Sequence, residues 1–77
     1  MNKIRREAIE KAKATIETAF SNLENLRDEE QGYLDNMPES LKSGEKAQAA
    51  EQAVSSLDDA INSCSEAANS LDEAVGQ

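Results

Sequence analysis

The chain of 77 residues has no His and no Trp, and only one Cys, one Pro, one Phe and one Tyr. A single Cys excludes an internal disulfide framework. Without His, the usual zinc, haem and His-dependent catalytic arrangements lack their ligands and bases. No apolar run approaches the roughly 20 residues that span a bilayer, and the first residues lack the apolar stretch of a signal peptide. The expectation is a soluble, cytoplasmic chain with a reduced thiol. Cations are the scarcer sign: eight Lys and Arg stand against sixteen Asp and Glu, a net charge of -8. That balance argues against direct nucleic-acid binding, which draws its affinity from cations that release counterions from phosphates.

What is present is heptad order. Ala47, Ala50, Val54, Leu57, Ile61, Cys64, Ala68, Leu71 and Val75 alternate by three and four residues, which read as a and d positions gives a coiled-coil seam of about four heptads. Ala53, Ala60, Ala67 and Ala74 form a second row, at g, beside it. Ala53 to Ala60 (Ala-Val-Ser-Ser-Leu-Asp-Asp-Ala) returns two heptads later as Ala67 to Ala74 (Ala-Ala-Asn-Ser-Leu-Asp-Glu-Ala). Each copy is too short to stand alone. An a/d stripe alone serves one partner, so the added alanine row predicts contact on two sides, as in a bundle of three or more helices.

The first half has the same period over a broader face: Ile9, Ile16 and Leu23 at a, Ala12, Ala19, Leu26 and Tyr33 at d, Phe20 and Leu34 at e. Gly32 weakens this helix locally. Pro38 pushes Met37 out of helical geometry, and Ser40, Ser43 and Gly44 supply turn chemistry. The reading is a single all-α domain: helix one over about 2–35, a hinge at 36–44 with Met37 and Leu41 covering the closed end, and helix two over about 45–75 with Ser43 as its N-cap. At 1.5 Å per residue the helices span roughly 50 and 46 Å, matched lengths for an antiparallel hairpin. A chain this small buries little surface alone. The seam residues Ile9, Ile16, Leu23, Leu26, Val54, Leu57, Ile61, Cys64 and Leu71 are therefore expected to be completed by further copies, most simply as a homodimeric four-helix bundle.

Charge is polarised along the chain. Residues 1–13 carry five basic and two acidic groups, and residues 47–77 carry six acidic and no basic group. Lys3, Arg5 and Arg6 sit where a helix dipole prefers anions, and Asp72 and Glu73 where it prefers cations. Two readings follow. In one, Arg5 and Arg6 neutralise Asp72, Glu73 and Glu66 across the open end as exposed ion pairs. In the other, Lys3, Arg5 and Arg6 bind an anion such as a small nucleotide, two clusters being brought together by symmetry. Arg27 is expected in a solvated network with Glu24, Asp28, Glu29 and Glu30, Tyr33 in the core with its hydroxyl at the rim, and Cys64 as a small buried hydrophobe. Asp58-Asp59 and Asp72-Glu73 diverge around the helix, so they read as solvated charge. No phosphate loop, EF-hand loop or Glu-x-x-His pair is present. No metal, cofactor or catalytic residue is expected.

The segment Arg27-Asp28-Glu29-Glu30-Gln31, then Tyr33, then Asp35-Asn36-Met37-Pro38-Glu39-Ser40-Leu41, followed by acidic alanine-rich heptads, resembles a group of short, largely uncharacterised phage and prophage helical-hairpin proteins over roughly residues 23–75. The resemblance implies a setting: small accessory phage proteins often act on host factors by binding, including those that block antiviral defences or sequester their nucleotide signals. The expected function is accordingly a non-catalytic binder that neutralises a host protein or a nucleotide signal in the host cytoplasm. The alternative is a structural or adaptor coiled coil in a larger phage assembly.

Overall fold

The computed structural model describes residues 1–77 as two long helices and no strand: α1 over Lys3–Asp35, a single 3₁₀ turn over Glu39–Leu41, and α2 over Glu45–Gly76. The helices pack on each other as an antiparallel hairpin measuring 60 × 14 × 13 Å. The radius of gyration is 17.4 Å, against roughly 11 Å for a globular chain of this length. The molecule is a rod. Neither helix is long and apolar enough to cross a membrane.

Local chemistry sets the ends. Asn2 caps α1, its Oδ1 accepting from the Arg5 N–H at 2.7 Å, which satisfies one of the orphan amides of the first turn. At the other end the Asn36 N–H still donates to Gly32 O at 3.0 Å. Gly32 therefore lies within the helix and does not interrupt it; Tyr33, Leu34 and Asp35 continue the helix to its C-cap at Asn36. The Leu41 N–H donates to Pro38 O at 2.9 Å and the Gly44 N–H to Leu41 O at 3.0 Å, forming the tight turn that reverses the chain.

That turn also corrects the expected cap of α2. Gly44, not Ser43, is the N-cap; its backbone is extended and no side chain caps the helix. Because the Gly44 N–H is held by Leu41 O, the chain straightens at Gly44 and α2 starts at Glu45, one residue later than a serine cap requires. An added Cβ at Gly44 would sit 3.3 Å from Leu41 O, so glycine suits the close turn.

Only Met37, Ala47 and Ala50 are buried. All three lie where the hinge folds back over the helix pair. Met37 covers the closed end as expected, whereas Leu41 is 54% exposed and does not. Along the rest of α2 the a, d and g rows are half-buried. Cys64 is half-buried too, rather than fully enclosed.

At Gly32 a Cβ would meet nothing within 4 Å, and the backbone is helical with negative φ. Gly32→Ala should therefore stabilise the protein by about 0.5–1 kcal/mol, seen as a higher urea midpoint with an unchanged m-value.

Candidate functional site

Two interhelical ion pairs define the register. Lys13 Nζ lies 2.6 Å from Asp72 Oδ1, and Arg27 Nε donates to Asp58 Oδ1 at 2.8 Å. Fourteen residues along α1 are thus matched by fourteen back along α2, with no slip between. Carried to the open end, this register places Gln77 opposite Ala8. Lys3, Arg5 and Arg6 extend beyond the last turn of α2.

This geometry overturns the pairing of Arg5 and Arg6 with Asp72, Glu73 and Glu66. Asp72 is taken by Lys13, two turns further in, and neither Arg5 nor Arg6 makes an ion pair. The Lys3 side chain is 87% exposed and reaches Glu7 only at 4.0 Å. Arg5 is exposed and Arg6 half-buried. The three cations therefore stand together on the first turns of α1, with no acidic residue in the first turn and the helix dipole adding to their field.

Arg27 also departs from its expected surroundings. It keeps Asp28, with Nη1 donating to Oδ1 at 3.0 Å, but its principal partner is Asp58 on the other helix. It acts as a clasp between helices, and not as part of a network confined to α1.

The same contacts show which face of α1 meets α2. Half-buried positions in α1 include Ile9, Lys13, Ile16, Phe20, Leu23, Arg27 and Leu34, so the seam runs through a and e. The d row is turned partly to the side: Ala19 is half-buried, but Ala12 is exposed, and Leu26 and Tyr33 are each 50% exposed. Tyr33 is thus not a core residue of the hairpin. The cause is at e, where Phe20 and Leu34 supply apolar bulk and Lys13 and Arg27 lay their aliphatic stems along α2 while their charged ends reach Asp72 and Asp58.

The rod consequently has two unlike flanks. On one, e residues of both helices are bridged, and a groove of about 210 Å³ runs past Lys13, Glu17, Phe20, Cys64, Ser65 and Asp72. Glu10, Glu17 and Glu24 follow each other by seven along the α1 side of this bridged flank. On the other, the d row of α1 lies beside the g-row alanines of α2, and no ion pair crosses. Toward the hinge that second flank ends in an open groove of about 460 Å³ lined by Tyr33, Met37, Pro38, Leu41 and Lys46, among others. Sequence reading passed over this groove because its walls come from α1, the turn and α2 together, and only the fold joins them.

No group of three or more Cys, Asp or Glu side chains converges as a metal-binding set would. Comparison with protein-family models, with curated proteins and with solved structures finds no match for this chain.

The Lys13–Asp72 contact also displaces a titration. The Lys13 ammonium is held above the ordinary 10.5, first by the hydrogen bond to Asp72, with the charges of Asp72, Glu17 and Glu10 adding and partial burial opposing. The folded state binds this proton more tightly than the unfolded chain. Its contribution is complete below the ordinary value and lost as pH rises through the raised one. Asp72→Asn should therefore lower the thermal midpoint at pH 7–9, and the gap between variant and wild type should narrow above pH 10.5, as measured by circular dichroism melts across that range.

Proposed function

We propose that this chain is a non-catalytic binding protein that works as a homo-oligomer, in its simplest form a dimer with a four-helix core. One observation carries the reading: beyond Ala50 no residue of α2 is fully buried, and none of α1 is. Val54, Leu57, Ile61, Leu71 and Val75 touch α1 on one side and water on the other. At roughly 25 cal/mol per Å² of apolar surface removed from water, covering the wet halves of these rows is the largest stabilising step open to the molecule. A second chain offers that cover.

As a binder, the protein would neutralise a host factor by occupying it, in the setting of phage infection and in the host cytoplasm. The factor is either a small anionic nucleotide that serves as an antiviral signal, or a host protein. The nucleotide form draws support from Lys3, Arg5 and Arg6, whose charges α2 leaves unspent: Arg groups without carboxylate partners can fork onto phosphate oxygens. The protein form draws on the outer face of α2, where Asp59, Glu66 and Glu73 recur by seven and are exposed. Such a row would steer toward a basic groove.

Sedimentation equilibrium at micromolar concentration should give twice the 8.3 kDa of one chain; a folded 8.3 kDa species would end the oligomer reading. Calorimetry with cyclic nucleotides should show binding that Arg5→Glu with Arg6→Glu abolishes while helicity and assembly are retained. Absence of heat with the wild-type protein would remove the nucleotide form.

A further inference from the structure

We infer that the unbridged flank, where the d row of α1 lies beside the g row of α2, is the surface on which a second copy of this chain docks. The inference rests on the homo-oligomer reading above and names the face it uses.

The argument is electrostatic and steric. A two-fold interface sets a surface against itself, so every charge near the axis meets its own kind. For a chain of net charge -8 most faces fail that test. The bridged flank carries Glu10, Glu17 and Glu24, and the outer face of α2 carries Asp59, Glu66 and Glu73. The remaining flank is neutral through its centre. On α1 its d and g rows read Ala8, Ala12, Thr15, Ala19, Asn22 and Leu26. On α2 the alanine row is backed at c by Ala49, Ser56, Ser63 and Ser70. Charge returns only at the ends, with Arg5 at the open end and Glu29, Glu45 and Lys46 near the hinge. In a chain of which 31% is charged, a neutral strip this long stands apart from the rest of the surface.

The small side chains let a second pair of helices approach closely, as the ridges of one pack into the grooves of the other. Two of the large apolar groups that the hairpin leaves exposed, Leu26 and Tyr33, lie on this flank, whereas Ile4, 81% exposed, lies off it at the open end. The flank continues into the apolar hinge groove with Leu41, so one docking event covers the α1 row and the groove together.

The test adds charge at exposed positions. Ser56→Glu with Ser63→Glu places two carboxylates on the neutral flank; Ser65→Glu with Asn69→Glu places two on the bridged flank and serves as the control. Thr15→Glu probes the neutral flank from α1. Sedimentation equilibrium should show dimerisation weakened roughly tenfold or more by Ser56→Glu/Ser63→Glu and by Thr15→Glu, with helicity unchanged. The control should stay within about twofold of wild type. A wild-type monomer would overturn the self-association reading as well, leaving this flank to a foreign partner. A wild-type dimer that tolerates the neutral-flank charges, or is weakened more by the control, would overturn the inference alone.

Discussion

Two cylinders touch along a line. A helix with its side chains is about 10 Å across, and one neighbour can cover only the strip of it that faces inward. Where the chain supplies a third body, the hinge at Met37, burial goes to completion, and Ala47 is wholly enclosed. One turn further along, the third body is gone and Ala53 and Val54 are half-wet. The rest of the molecule follows from this limit. Its apolar rows are wide enough for two neighbours, and the chain supplies one.

The limit also assigns a role to the interhelical ion pairs. A seam whose apolar residues return every seven positions, flanked by a row of alanines, has weak registration, because one heptad fits much like the next when a helix slides by seven residues. Lys13–Asp72 and Arg27–Asp58 are spaced equally on both helices, so a slide would break both. Exposed pairs of this kind contribute little to stability, but they penalise the wrong alignment. By gathering at e, they also leave the opposite flank without charge.

What could be read in the sequence divides along the same line. The α2 rows were legible because seven-residue spacing over four heptads depends on nothing outside the helix, and Pro38 marks a chain reversal wherever it sits in such a context. The seam of α1 was legible only in part: Ile9, Ile16 and Leu23 at a, and Phe20 and Leu34 at e, are half-buried, but the charged members of the e row were missed. Lys13 and Arg27 are charged, so a search for apolar periodicity discards them and takes Ala12 and Leu26 in their place, which turns the inward face by about half of a residue step. Their positions relative to Asp72 and Asp58 were countable, but the register that makes them partners is set by the turn. The cap of α2 failed for a similar reason: Ser43 is the better capping residue by chemistry, and a backbone hydrogen bond between Gly44 and Leu41 overrides it. The cluster of Lys3, Arg5 and Arg6 was visible as composition, while its lack of acidic partners depends on how far α1 runs past α2.

The abundance of alanine and serine then has a physical reading beyond helix propensity. A core built on Leu and Ile stabilises by area, but it holds helices about 10 Å apart and leaves a wet cleft wherever a two-helix unit meets its neighbour. Alanine and serine bring backbones closer, lose little side-chain entropy when ordered, and replace bulk with many short dispersion contacts. Such a surface is weak against water and strong only against a partner of matching flatness. A flank composed this way remains soluble while bare, gains from contact along its whole length, and, being neutral, imposes no repulsion when the partner is a copy of itself. In a strongly acidic rod, that combination is confined to the side from which the ion pairs have been withdrawn.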